Sequence, residues 1–186
     1  AEAQLQGGNR ATIIDAVTMG FTTAMSDVND VIIAAVQTGK VKLAYQPMIN
    51  AKNGVVAGYE ALARIALADG TLLTAARFMP LIEKLGMTLE LDGQVLRQVA
   101  YELYEQPDLN LAMNISGATA SMPAWTVLLV EVLAARPGIA SRLTIEMTET
   151  TAITNLAQAR KLADFCMTLG ISLSFDDFCS GHTSLF

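Results

Sequence analysis

At 186 residues the chain suits one domain by length, or an incomplete piece of a larger one. Apolar residues make up 52% and charged residues 16%, with a mean hydropathy of +0.40, which excludes disorder and predicts a large buried core. Twelve Lys and Arg against eighteen Asp and Glu give a net charge of −6. No sequence-wide basic surface exists to neutralise nucleic-acid phosphates, so DNA or RNA binding is not expected, and a phosphorylated ligand would need positive charge from elsewhere.

The two cysteines, Cys166 and Cys179, and the single histidine, His182, rule out zinc-finger and disulfide-framework readings. The longest strictly apolar runs, such as residues 31–36 and 127–130, are far shorter than the roughly 20 residues needed to cross a bilayer. The start, Ala1-Glu2-Ala3-Gln4, lacks an initiator Met, a basic region and an apolar signal core, which suggests excision from a longer polypeptide. A cytoplasmic, reducing environment is expected, although the parent protein could be membrane-anchored through a region outside this sequence.

After a polar opening at Gly7-Gly8-Asn9-Arg10, residues Ile14, Val17, Phe21, Ala24, Val28, Val31 and Ala35 recur at alternating spacings of three and four. That helical stripe supports either a coiled-coil linker to an upstream module or an amphipathic helix packed on its own domain. Residues 1–27 are read as a helical linker or the end of an upstream segment, and 28–186 as the domain proper.

From residue 41 short apolar stretches alternate with longer helix-compatible segments. Strands are predicted over 41–49, 55–64, 109–116, 143–149 and 171–178, and helices over 74–85, 88–105, 121–135 and 154–169. Strand alternating with helix implies βαβ units and a parallel sheet. Asn53-Gly54 marks a hairpin that makes the first strand pair antiparallel, and Gly86 and Gly170 stand where helices end.

Alternate side chains of a strand point to opposite faces. Leu111, Met113 and Ile115 oppose Ala112, Asn114 and Ser116; Leu143, Ile145 and Met147 oppose Thr144, Glu146 and Thr148; Ile171, Leu173 and Phe175 oppose Ser172, Ser174 and Asp176. A parallel sheet covered by helices on both faces would be apolar on both, so a repeated small and polar face points to a barrel interior leading to a polar site. Glu60 joins Asn114, Glu146 and Asp176 near the carboxyl ends of four successive strands, the mouth of a (β/α)-barrel. Three carboxylates and an amide oxygen suit Mg²⁺ or Mn²⁺ rather than zinc, and the adjacent Asp177 could hold a second metal. Divalent cations bridge an acidic protein and an anionic phosphate, so the chemistry suggested is metal-assisted phosphodiester hydrolysis. Any one strand-end acid is more often a cap or ion-pair partner; four aligned across four strands point to function.

At Tyr59-Glu60-Ala61-Leu62-Ala63-Arg64 the sequence resembles the EAL domain, the bacterial family of cyclic di-GMP phosphodiesterases. The resemblance continues through Tyr45-Gln46-Pro47, Leu91-Asp92 with Val95-Leu96, Asn114-Ile115-Ser116, Glu146-Met147-Thr148-Glu149 and Asp176-Asp177-Phe178, all in family order, and covers residues 28–186. It implies an α/β fold, a TIM-like (β/α)8 barrel with an antiparallel first strand, and metal-dependent hydrolysis of cyclic di-GMP to linear pGpG. It further implies that Glu60, Asn114, Glu146 and Asp176 hold a first metal and Asp177 a second, with Glu60, Asp176 and Asp177 catalytic. Gln46, Leu62 and Arg64 match positions that line the dinucleotide site, and Glu149 matches a glutamate that anchors the loop after the fifth strand. A homodimer and an upstream sensory or GGDEF-type domain are expected partners.

Two departures stand out. The family loop Gly-Thr-Gly-Tyr-Ser-Ser is here Cys179-Ser180-Gly181-His182-Thr183-Ser184, and a cysteine at a positive-φ glycine position would cost on the order of 1 kcal/mol. Cys179 has no resolving cysteine nearby and His182 no partner that fixes its imidazole, so plain loop substitution is preferred over a redox or proton-shuttle role. A full barrel needs about 250 residues, and this sequence covers about the first five strands. The family's catalytic lysine, a further metal-binding glutamate and a late glutamine have no counterpart, so the fragment alone is not expected to turn over substrate. A catalytically inactive receptor for cyclic di-GMP, or a protein-interaction module, is the alternative, and a scaffold without nucleotide function a third reading.

Overall fold

The structure, a computed structural model, describes residues 27–148 and 155–176. Its first hairpin is set by local chemistry. Gly54 has φ +71°, its N–H donates to the Asn50 carbonyl at 2.8 Å, and the Asn53 side chain accepts from the Val55 N–H at 3.1 Å. Such a turn favours Asn-Gly because only glycine enters the left-handed region without a Cβ penalty. The flanking strands, β1 (Lys42–Ile49) and β2 (Val56–Ala66), therefore pair antiparallel, from Lys42 against Arg64 to Pro47 against Tyr59. Pro47 is tolerated because β1 is an edge strand of the described sheet.

Strand β2 runs two residues past the predicted end, to Ala66, and turns at Asp69-Gly70 into a short β3 (Leu72–Thr74) that the sequence reading missed. Asp69 accepts from the Thr71 N–H at 2.8 Å and Gly70 has φ +87°; that Asp-Gly pair is the signal for the hairpin. Arg64 faces Lys42 on β1 and Thr74 on β3, so β3 takes the β2 edge that also carries β4.

Beyond β3 the chain follows α2 (Ala75–Lys84), α3 (Thr88–Glu105), β4 (Leu111–Asn114), α4 (Gly117–Ala120), α5 (Pro123–Ala135), a 3₁₀ turn (Ala140–Arg142), β5 (Leu143–Thr148), α6 (Leu156–Leu169) and β6 (Ser172–Asp176). The sheet order is β1-β2-β4-β5-β6, with the last three strands parallel to β2. Five of the six strands thus form the expected run, an antiparallel first strand followed by parallel ones, and β3 is an addition. Gly86, just past α2, has φ +68°, and Gly170 caps α6 at φ +74°. The helix predicted over 121–135 starts at Pro123, which suits the first turn because its missing N–H has no helical partner there; the short α4 before it was not foreseen.

The two sheet faces differ as the alternation requires. Leu111, Met113, Leu143 and Ile145 are fully buried beneath the helices, with Phe78, Leu96, Trp125 and Leu129 packed in the same core. Residues 27–37 form a helix, α1, which buries Ile32, Ala35 and Val36 on the domain. Its contact face is therefore rotated from the Val28, Val31, Ala35 stripe, though Val28 and Val31 still pack at its margin. This part of the stripe follows the packed-helix reading; residues 14–26 lie outside the described residues. Among the described residues no helix is long and apolar enough to cross a membrane.

Candidate functional site

Strand pairing places Gln46, Glu60, Leu62, Arg64, Asn114, Glu146 and Asp176 on one face, because side chains of residues directly opposite in a sheet lie on the same side. Gln46 is level with Glu60, Ala44 with Leu62, and Lys42 with Arg64. Glu60 is level with Ala112, two residues before Asn114; Asn114 is level with Glu146; and Glu146 is level with Ser174, two residues before Asp176. The donors climb in two steps across β2, β4, β5 and β6. A stagger of that kind is what tilted barrel strands need to bring side chains to one height.

Glycine fixes the first step. A Cβ on Gly58 would lie 2.7 Å from the Asn110 carbonyl oxygen, closer than real Cβ atoms approach. That closeness lets the Tyr59 N–H donate to the same carbonyl at 3.0 Å, while the Asn110 side chain donates to the Ala57 carbonyl at 3.2 Å. The β2–β4 register, and with it the height of Glu60 relative to Asn114, follows from these contacts. The Asn114 Nδ2 then donates to Glu60 Oε1 at 2.6 Å.

Electrostatics tie the acids together. Glu146 is half-buried, and its carboxyl is pushed up to about 7, first by burial, then by the negative charges of Glu60 and Asp176. A carboxylate that feels the negative charge of two others is a position at which a cation would be stabilised. The donor set, three carboxylates and an amide, fits Mg²⁺ or Mn²⁺ by its hard oxygen chemistry. Among the described residues, no three acidic, histidine or cysteine side chains stand close enough together to hold a metal ion as they are placed. Asp177, predicted for a second metal, Glu149 and the loop from Cys179 to Ser184 lie outside the described residues.

The expected substrate-side residues border the same face. Gln46 is exposed on β1, Leu62 lines a cleft of about 260 Å³ together with Asp92, Asn114, Ser116 and Thr148, and Arg64 is half-buried with its guanidinium donating to the Ala63 carbonyl at 2.9 Å. Asp92 was read only as part of a helix motif. It is 5% exposed on α3 and accepts from the Ser116 N–H at 3.0 Å, two residues beyond Asn114 on the chain. Its place at the site is visible only once α3 is folded against β4.

The chain matches the EAL domain model over residues 30–186. It belongs to the EAL domain family. Among curated relatives, it is 28% identical over 156 residues to the bifunctional diguanylate cyclase/cyclic di-GMP phosphodiesterase MucR of Pseudomonas aeruginosa, covering 81% of this chain and 23% of MucR. It is 31% identical over 156 residues to the cyclic di-GMP phosphodiesterase NbdA of the same organism, covering 81% of this chain and 20% of NbdA. The solved complex of the MucR phosphodiesterase with c-di-GMP superimposes with a TM-score of 0.74 at 28% identity, covering 82% of this chain and 64% of that one. The chain thus spans about a fifth of the length of these curated relatives, and it shares the fold of the MucR phosphodiesterase.

Proposed function

We propose that this chain is the greater part of a metal-dependent phosphodiesterase domain that hydrolyses cyclic di-GMP to linear pGpG in bacterial second-messenger signalling. The observation that carries the reading is the gathering of Glu60, Asn114, Glu146 and Asp176 on one face of four neighbouring strands, with the Asn114 amide bonded to Glu60. The relationship to proteins named as cyclic di-GMP phosphodiesterases supports it.

In this reading Glu60, Asn114, Glu146 and Asp176 hold one Mg²⁺ or Mn²⁺, and Asp177 holds a second. When bound, the divalent cation supplies charge neutralisation at the phosphate and makes water more acidic at neutral pH. The protein's own part is positional. Asn114 donates to Glu60 and so orients that carboxylate, and the apolar helix side of the strands keeps the polar face fixed in height. Arg64 is placed two residues beyond Leu62 on the site face, where its guanidinium would meet a phosphate oxygen of the dinucleotide, and Gln46 would contact a base. Hydrolysis adds water at phosphorus and breaks one phosphodiester P–O bond, the proton passing to the departing ribose oxygen. A homodimer, and an upstream sensory or GGDEF-type domain, belong to the proposal; the cyclase named in MucR supports the latter.

A second reading is favoured by one feature, the sequence Cys179-Ser180-Gly181-His182-Thr183-Ser184 in place of the family loop: a receptor that binds cyclic di-GMP without turnover. Incubating the full-length protein with cyclic di-GMP and Mg²⁺ or Mn²⁺, with chromatography of the nucleotides and parallel binding in Ca²⁺, separates the two. Metal-dependent pGpG supports the phosphodiesterase; binding without pGpG supports the receptor; neither leaves a scaffold.

A further inference from the structure

The buried carboxylate of Asp92 has no part in the site chemistry set out above, yet it touches the segment that carries Asn114. Burying a carboxylate costs several kcal/mol unless hydrogen bonds compensate, so its partners indicate what it is for. It accepts from the Ser116 main-chain N–H at 3.0 Å, and the Thr119 side chain supplies a further hydrogen bond to it. Burial pushes its carboxyl above the ordinary range, against the pull of those bonds.

Capping of α4 does not account for Asp92. The Ser116 side chain already accepts from the Thr119 N–H at 3.0 Å and donates to the Thr119 hydroxyl at 2.9 Å. What Asp92 adds is a tie from α3 to the main chain two residues after Asn114. The residue between, Ile115, donates its N–H to the Glu146 carbonyl at 2.9 Å. Successive peptides beyond Asn114 are therefore held from two sides, one by β5 and one by α3. A side chain on a main chain fixed in this way has few directions left, and Asn114 is the one that bonds Glu60.

We propose that Asp92 is a positioning residue for the EAL site: by holding the Ser116 N–H it aims the Asn114 amide at Glu60 and at the cation position. The functional half of this statement rests on the phosphodiesterase reading; the structural half does not.

The test uses the full-length protein labelled with ¹⁵N at asparagine, together with Asp92→Ala and Asp92→Asn. The Asn114 side-chain amide, assigned by its loss in Asn114→Ser, is expected to carry a hydrogen-bond-shifted signal in the wild type. That signal should move to the free-amide position in Asp92→Ala and stay close to the wild-type position in Asp92→Asn, whose amide oxygen still accepts from Ser116. Should the alanine variant not fold, Asp92→Asn paired with Asp92→Leu, which is close to it in size but cannot accept from the Ser116 N–H, gives the same comparison. An Asn114 signal unchanged on loss of the tie, in a folded protein, overturns the proposal whether or not the protein is an enzyme.

For hydrolysis, Asp92→Ala should lower kcat about 10–100-fold with little change in KM, Asp92→Asn should restore most of it, and the loss should vanish in an Asn114→Ala background. A loss that persists undiminished without Asn114 would show that Asp92 acts by stability alone, and would overturn the proposal. A wild type without pGpG formation would count against the phosphodiesterase reading while leaving the Asn114 signal to decide the role of Asp92.

Discussion

Asn114 and Glu60 are hydrogen-bonded at 2.6 Å although their strand positions are not level, Glu60 standing beside Ala112. The bond spans a two-residue step, and the next step, from Glu146 to Asp176, repeats it. The site is therefore a property of the register of the strands as much as of the residues on them.

Gly58 is the point where that register is most sensitive. Gly58→Ala forces a methyl against the Asn110 carbonyl, and overpacking of this kind costs about 1–3 kcal/mol. Thermal unfolding should show a lower Tm for the variant. If the strand yields by shifting, metal affinity should fall with it; a variant with unchanged Tm would show that β2 and β4 do not meet as described.

Glu146 gives the site a pH signature. Its carboxyl binds a proton more tightly in the folded, metal-free protein, near 7, than in an unfolded chain at about 4.5. The contribution to stability is thus fully present below about 4.5 and is lost as pH rises through 7. Metal-free protein should lose stability from this group across that window, and Mn²⁺ should restore it at the alkaline end, releasing a proton as it binds near pH 6. Glu146→Gln should flatten the profile in chemical denaturation. A wild-type profile identical to that of Glu146→Gln would contradict the assigned crowding.

Cys166 is buried among the core residues of α6, and burial pushes its thiol up to about 11. It should remain unmodified by thiol reagents in the native protein at neutral pH and react only on unfolding, as peptide mapping would show. Rapid native labelling of Cys166 would mean that α6 opens readily from the sheet.

Much of this was legible in the sequence for a simple reason. Alternation with period two put Asn114, Glu146 and Asp176 on one face before any pairing was known, and Asn53-Gly54 announced the antiparallel start. What escaped was short or non-local. Strand β3 has three residues, too few for a periodic signal, and only Asp69-Gly70 marks it. Helix α4 is a single turn set by Ser116, whose role as a cap depends on where β4 stops. The buried face of α1 is rotated towards Ile32 and Val36, and α3 ties the end of α1 and the residue before β1, Gln94 donating to the Val36 carbonyl and Gln98 to the Val41 carbonyl at 3.0 Å. Asp92 stands in the sequence only as part of a family motif on a helix, and nothing in its neighbours says that Ser116 will be its partner.

The most direct test of the central claim is the rate of cyclic di-GMP hydrolysis by the full-length protein, measured against Mn²⁺ concentration for the wild type and for Glu60→Gln. Removing a direct ligand should cost more than the roughly 10–100-fold expected of an outer-shell partner. The account predicts metal-dependent pGpG formation that falls by more than about 100-fold in Glu60→Gln, with the fold intact. Hydrolysis that needs no metal, or that is unchanged in Glu60→Gln, would contradict it.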